Sequence, residues 1–421
     1  MAKIIGLKGL RPRDNDAVTK LTVPPYDVIR KGSRLEELLQ QRQDSLWHVT
    51  LGENPRSALE RLAREGILVE DNEPCAYIYV QEYVDLWGNT QQRIGILDSP
   101  EVTPYEAGQV IRHEQTFDDK VKGRLELTKQ LGLTLEPVFL LTKAKITDLL
   151  REYIEGSVPS YEFVSDFQGE SELHNMTTKV YRIPHNSPFM EVVKHFIAEQ
   201  PLYIADGHHR YHAALLNEQR NCLAYIVEAA EIERTEGIQA YNRVINGMVP
   251  FADALDAIAR IQGIRVKEAP ALDGPVTLQK REFCVYSGGK VYIIDTTGLP
   301  ATDDVVERLD CKTLERVIYP VLGLDDSMLA DPRHFDYYPQ QDNQRMKELV
   351  DSDRYNLAVA LHQVSVDEVI AVADAGLADL RCRGQEALTV PRFIMPRKST
   401  FFAPKILSGL FVLRHEMRYA A

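Results

Sequence analysis

Between residues 137 and 227, short apolar runs alternate with amphipathic stretches, and no other feature constrains the fold as strongly. Apolar runs of four or five residues suit buried strands, while longer stretches of helical period suit helices packed beside them. The spacing predicts strands over 137–141, 179–183, 202–205 and 223–227. It predicts helices over 146–154, from Ser187-Pro188 to Ala198, and from about Tyr211 to Gln219. Ser187 is a good N-cap and Pro188 suits the first helical position. A chain that alternates in this way folds as a mixed α/β, or α+β, protein.

The flanks read differently. In "VPPYDVI" (23–29), Pro24 and Pro25 forbid a helix and hold Tyr26 and Asp27 on a stiff, extended backbone. Short helices are expected over 33–42 and 57–65, the second stopped by Gly66. Two strands, 75–83 and 91–97, flank the turn Leu86-Trp87-Gly88-Asn89. Thr116 and Asp118 offer caps for a helix over 119–130, which Gly132 ends. The last third reads as a separate α+β unit. It has helices over 251–261, 303–309, 342–350 and 366–374, a strand over 356–361, and a hairpin of 283–286 with 291–294 across Ser287-Gly288-Gly289. The expected division is 1–100, 101–248 and 249–421.

Composition excludes several classes. A net charge of −13 repels a nucleic-acid backbone, and the short basic runs, such as 392–398, are broken by apolar residues. No apolar run reaches the length of a membrane span. The opening Met1-Ala2-Lys3-Ile4-Ile5-Gly6 has no signal-peptide core, so a cytoplasmic location is expected. The five scattered cysteines form no C-x-x-C pair and read as reduced thiols. Partners are therefore expected to be small molecules, with no nucleic acid and no membrane; the oligomeric state stays open.

The chemistry concentrates in "YIADGHHRYHAAL" (203–215), where an apolar strand runs into Asp206-Gly207-His208-His209-Arg210 and then a helix. A strand-to-helix turn presents unpaired backbone N–H groups and the positive end of the helix dipole. Gly207 permits a tight turn, Arg210 can grip a phosphate with two donors, and His208 and His209 can donate or shuttle protons. The group suits an anion, above all a phosphate. Asp206 would repel that anion unless it holds Mg²⁺ or takes a proton from an alcohol. A zinc reading would pair His208 with His212 and add His113-Glu114, but an H-E-x-x-H motif is absent. Walker A, G-x-G-x-x-G and nucleophile-elbow motifs are also absent.

Other candidates are weaker. Tyr26 and Asp27 suit a pocket wall, and Arg11 suits a substrate carboxylate. Lys398, Ser399 and Thr400 could hold a phosphate or an amino acid, with a helix cap as the rival role of the two hydroxyls.

Several motifs, taken in order, resemble a bacterial family called domain of unknown function 1015. They are "GLRP" (9–12), "VPPYDVI", "SLWHVT" (45–50), "IRHEQT" (111–116), the Asp-Gly-His-His-Arg turn, "AYNRVI" (240–245), "ADAG" (373–376) and "MPRKSTFFAPKILSGL" (395–410). The turn is similar to that of archaeal free-serine kinases of the ParB and sulfiredoxin superfamily. The resemblance implies a ParB/sulfiredoxin-like core in the middle of the chain, with N- and C-terminal α+β extensions. It implies a serine kinase in serine metabolism, moving a phosphoryl group from ATP or ADP, or from pyrophosphate, with Mg²⁺. Glu114 would be the base for the serine hydroxyl, and Asp206 would assist it or hold Mg²⁺. Gly207, His208, His209 and Arg210 would bind the nucleotide phosphates. Arg11, Tyr26, Asp27, His113, Thr116, Lys398, Ser399 and Thr400 would contact substrate. Glu114 and Asp206 lie further apart in the chain than in those kinases, which implies inserted elements. Sulfiredoxin chemistry would need a cysteine where His208 stands. The alternatives are a regulatory nucleotide-binding protein without catalysis, or a phosphate-ester hydrolase.

Overall fold

The computed structural model describes residues 2–116, 118–270, 276–329 and 331–416. The chain divides into two compact units, Met1–Thr235 with Pro404–Ala421, and Glu236–Ala403.

The first unit is built on an eight-stranded mixed sheet. Its strands are β1 (Cys75–Val84), β2 (Thr90–Asp98), β3 (Val110–Ile111), β4 (Val138–Thr142), β5 (Tyr161–Val164), β6 (Thr177–Pro184), β7 (Leu202–Asp206) and β8 (Ala224–Glu228). Their spatial order is β3-β7-β4-β8-β2-β1-β6-β5. The central strands β4 and β8 are buried along their whole length, as continuous apolar runs covered on both faces should be. The boundary expected near residue 100 falls inside this sheet, because β2 pairs with β8 across it. Two helices stand near the end of β7: α1 (Asp118–Leu131), stopped by Gly132 at φ +66°, and α2 (His208–Leu216).

A second, four-stranded sheet joins the two ends of the chain. Gly9–Pro12 lies between Leu68–Glu70 and Val412–Arg414, and the last of these pairs with Leu133–Thr134. Gly9 is required there: a Cβ would stand 2.1 Å from the Val412 carbonyl oxygen.

The chain re-enters this unit at Pro404, where buried groups grip its backbone. Fully buried Arg93 donates to the Pro404 carbonyl and to Gln81 Oε1, and lies 5.0 Å over the Phe139 ring. Gln81 Nε2 donates to the Lys405 carbonyl at 2.9 Å, and Glu172 accepts the Lys405 N–H at 2.9 Å.

The second unit carries an antiparallel sheet ordered Arg265–Ala269, Lys290–Asp295, Glu282–Ser287, Leu357–Leu361, Ile238–Ile245 and Phe335–Pro339. Thr400–Phe402 pairs with the start of Ile238–Ile245. Two expectations need correction here. The helix expected over 303–309 is a single turn, held by Asp304 Oδ1 accepting the N–H groups of Val306 and Glu307; helix begins only at Asp310. The helix expected to end at 374 runs over Val366–Arg383. Gly376 does not stop it but makes room for a neighbour, since a Cβ would lie 2.9 Å from the Phe393 carbonyl.

Arg93→Met should lower the unfolding free energy by about 2 kcal/mol, because it strands the buried Gln81 and Pro404 acceptors. Hydrogen exchange at 404–408 should speed up in that variant; unchanged exchange there would show that the grip on the returning segment lies elsewhere.

Candidate functional site

β3 and β7 run parallel, with Val110 opposite Leu202 and Ile111 opposite Tyr203. Both strands therefore leave the sheet at the same end. Three residues past β3, Glu114 comes to this end of the sheet, with its Oε2 3.7 Å from His208 Nδ1 in the turn after β7. β4 runs antiparallel to β7 and starts at that end, so Glu136 and Pro137 arrive there too.

The turn after β7 is shaped by local chemistry. The pairing of β7 with β4 shifts register between Ile204 and Asp206, a bulge that re-aims the strand end. Gly207 then adopts φ +93°, the left-handed region that glycine tolerates best. A Cβ at Gly207 would come within 2.8 Å of Arg210 Nε, so the glycine lets that side chain fold back over the turn. The helix starts at His208, three residues earlier than its apolar pattern indicates. His208, His209 and Arg210 thus occupy its first turn, where backbone N–H groups lack partners within the helix.

His208 is buried and its Nε2 accepts the His113 backbone N–H at 3.4 Å. A backbone amide only donates, so the His208 proton belongs on Nδ1. That nitrogen lies 3.7 Å from Glu114 Oε2, a separation that a bound substrate can tighten. The buried His113 ring meets His208 edge to face at 4.6 Å, with Nε2 4.0 Å from Glu114 Oε1. Burial pushes His113 down to about 4. Burial, reinforced by His113, holds His208 well below the ordinary imidazole range. Two neutral rings therefore face Glu114 near pH 7, which disturbs carboxylate basicity less than a cation would.

Asp206 faces cations instead. Its Oδ2 accepts from Arg210 Nη2 at 3.1 Å and lies 3.5 Å from Lys405 Nζ. Arg210 also donates to the Pro137 carbonyl. Burial alone would lower the Arg210 pKa; Asp206, Glu136, Asp27 and Tyr26 outweigh it and raise the value. Tyr26 donates its backbone N–H to Glu136 Oε1 at 3.1 Å, and Arg124 of α1 stacks 3.8 Å over the Tyr26 ring. Burial raises the Glu136 pKa against the pull of Arg210 and Arg124. Behind Arg210, a cleft of about 500 Å³ of empty space, part of it open to solvent, is lined by Arg124, Leu127, Glu136, Ala213 and Cys222 among others.

The structure thus gathers Glu114, His113, Asp206, Gly207, His208, Arg210, Tyr26 and Asp27 in one region of the first unit, with His209 in the same helical turn. Thr116 is partly buried two residues beyond Glu114. The Arg11 guanidinium donates to Asp71 at 2.7 Å and to the Tyr161 hydroxyl at 3.0 Å, partners within the framework. Lys398, Ser399 and Thr400 belong to the second unit. There Lys398 donates to the Tyr241 hydroxyl at 3.0 Å, Ser399 to the Pro396 carbonyl at 2.6 Å, and Thr400 pairs with Ala240. The zinc grouping does not form: the His212 ring stacks on Tyr105 at 5.9 Å, and among the described residues no three His, Cys, Asp or Glu side chains are grouped to hold a metal. Lys405 is an addition that the sequence does not single out, although it stands in the closing motif, seven residues past Lys398.

Gly207→Ala should displace Arg210 and cost on the order of 1–3 kcal/mol, from strain at positive φ, read by thermal or urea melts. The buried histidines set a pH dependence. His113 titrates near 4 in the folded chain, against about 6.5 when unfolded. Between those values the unfolded chain binds more protons, so stability is full above pH 6.5 and falls as pH drops toward 4. The raised pKa of Glu136 works in the opposite direction. His113→Gln should flatten the fall in urea-unfolding stability between pH 6.5 and 4.5 by about one proton. An unchanged slope would mean that His113 is not the group taking up the proton.

No curated protein matches the chain. Among solved structures, a free serine kinase in complex with AMP is 15% identical with a TM-score of 0.33, over 72% of this chain and 89% of that one. SbnI with C-terminal truncation, from Staphylococcus aureus, is 9% identical with a TM-score of 0.37, over 75% of this chain and 87% of its own. A conserved hypothetical protein from Pyrococcus furiosus is 14% identical with a TM-score of 0.30, over 74% and 88%. Likenesses at these scores assign no activity. The profile of the family described as Protein of unknown function (DUF1015) matches residues 4–312, short of the closing motifs but well over half the chain, and the chain belongs to that family.

Proposed function

We propose that the protein is a phosphotransferase that moves a phosphoryl group from a nucleotide, or from pyrophosphate, to the hydroxyl of free L-serine. The observation that carries this reading is the in-register parallel pairing of β3 and β7, which brings Glu114 to the turn that holds Asp206 and Arg210. Phosphoryl transfer asks a protein for grip on the phosphates, neutralisation of charge and a positioned hydroxyl. The first turn of α2 supplies backbone donors and Arg210 supplies the fixed cation. Glu114, facing two neutral imidazoles, is suited to take a proton. The likeness of the Asp-Gly-His-His-Arg turn to that of archaeal free-serine kinases supports serine as the acceptor. It also supports reading the core as ParB/sulfiredoxin-like and the setting as cytoplasmic serine metabolism.

In this mechanism Glu114 removes the proton of the serine hydroxyl as its oxygen bonds to the terminal phosphorus. The bond from phosphorus to the bridging oxygen breaks, and AMP, ADP or orthophosphate leaves with that oxygen. O-phosphoserine is the product, and Glu114 returns its proton to solvent. The first turn of α2, with Arg210, holds the phosphoryl oxygens as charge shifts onto the leaving group. Asp206 keeps Arg210 aimed across the turn. Asp206 would hold Mg²⁺ together with the donor phosphates, as a single carboxylate commonly does for this ion. When bound, it would screen the charge of the phosphates.

Purified protein with serine, Mg²⁺ and each donor in turn should form O-phosphoserine, followed by phosphorus NMR. Glu114→Gln should lower kcat by roughly 10²–10⁴ with little change in nucleotide affinity. Asp206→Asn should weaken both. Donor binding without turnover would favour a regulatory nucleotide-binding protein, and phosphate release without serine a hydrolase. Full activity in both variants would remove these two residues from the mechanism.

A further inference from the structure

We infer that Arg112 binds the carboxylate of the serine acceptor, while Glu114, two residues further on, acts on its hydroxyl. This rests on the phosphoryl-transfer reading and names the group that holds the second substrate. Arg112 is partly buried and directly follows β3. Both its chain neighbours are tied to the elements around the Asp206 turn. Ile111 pairs with Tyr203 of β7, and the His113 N–H donates to His208. The Arg112 backbone is thereby fixed at the site whatever its side chain does.

The side chain is held without a counter-ion. Its guanidinium carbon lies 4.8 Å over the Tyr105 ring, which is buried and stacks on His212 of α2 at 5.9 Å. Among the described residues the guanidinium has no ion pair and no hydrogen bond; even Glu114 stays beyond ion-pair distance, and Asp206 pairs with Arg210 instead. Arg11, Arg210 and Arg243 show the contrast. Burial works against the charge of each, but Asp71, Asp206 and Tyr319 outweigh it and the pKa rises. At Arg112 burial lowers the pKa and only Tyr105 pulls the other way. The His208 pKa, lowered first by burial, is lowered further by Arg112, so the guanidinium is within electrostatic reach of the imidazole beside Glu114.

A desolvated cation without an anion is costly. An aromatic face steadies it but uses none of its N–H donors, so the planar fork is left to take both oxygens of a carboxylate. Place and charge select the ligand. The donor phosphates have the first turn of α2 and Arg210. Arg112 shares its strand exit with Glu114, and two residues of chain span at most about 7 Å, so one small molecule can reach both side chains. Serine carries its hydroxyl and its carboxylate on adjacent carbons, and like charge turns its ammonium away from the guanidinium.

The test uses the full chain with L-serine and L-serinamide as acceptors, the second having a neutral amide in place of the carboxylate. Arg112→Met keeps an apolar cover on Tyr105 but removes the fork. It should raise the KM for serine at least about tenfold and leave the affinity for ADP, read by calorimetry, within about twofold. The unaltered protein should favour serine over serinamide in kcat/KM by at least about tenfold, and the variant should lose most of that preference. No preference in the unaltered protein, or a preference retained in the variant, would overturn the assignment. So would an ADP affinity that falls while the serine KM holds, which would put Arg112 on the donor phosphates. Should Arg112→Met fail to fold, Arg112→Gln decides: a reduced preference for serine supports the assignment and an undiminished one overturns it. If the unaltered protein makes no phosphoserine from any donor, the phosphoryl-transfer reading is wrong. Calorimetry with serine then decides Arg112: binding that Arg112→Met abolishes supports the assignment, and binding that is unchanged or absent overturns it.

Discussion

The site depends on one short contact, the parallel pairing of Val110–Ile111 with Leu202–Tyr203. Two residues of strand are little to hold together segments so far apart in sequence. A second tie secures them. The Tyr211 hydroxyl, fully buried in α2, donates to the Thr103 carbonyl and accepts the Thr103 N–H, both at 2.9 Å. The helix after β7 is thus bonded to the stretch that leads into β3. With strand and helix both fixed to the same partner segment, the turns after β3 and β7 have little freedom to separate. Backbone order thus contributes to bringing Glu114 to the Asp206 turn.

Burial then separates two kinds of electrostatics within a few ångströms. His113 and His208 lie beside Glu114 and also feel the charge of Asp206, yet desolvation dominates and both imidazoles stay neutral near pH 7. Asp206 in addition accepts from Arg210, whose guanidinium cannot give up its charge, and stands 3.5 Å from Lys405 Nζ. Burial also raises the pKa of Glu136 beside them, against the pull of Arg210 and Arg124.

Much of the fold is legible along the chain, because the central strands are continuous apolar runs and the main caps are Ser187-Pro188 and Gly132. The features that are not legible have physical causes. β3 is two residues long and carries no periodic signal. The start of α2 is hidden because His208 to Arg210 look like loop residues, and only the left-handed Gly207 turns them into a helical first turn. The Asp-Gly-His-His-Arg cluster is legible as an anion site. Its opposite wall is not, since Glu136, Arg124 and Lys405 are ordinary charges until the sheet brings them together. The partner of Arg11 is likewise not legible, since Asp71 lies sixty residues further along the chain and meets it only in the fold.

The order of the chain adds a constraint on how the site is completed. The second unit is an insertion whose entry and exit are neighbours, since Ile238 pairs with Phe402 and Ala240 with Thr400. An insertion whose ends meet costs the host unit little, because the gap it must span is already closed. The consequence falls on the first unit. Its four-stranded sheet includes Val412–Arg414, and Lys405 of the same returning segment stands 3.5 Å from Asp206. Gly9 and Val412 lie backbone to backbone across that final pairing, where no side chain larger than hydrogen fits. The pairing of Lys405 with Asp206 and the closing of the four-stranded sheet thus depend on one and the same segment, which returns to the first unit after the second is complete.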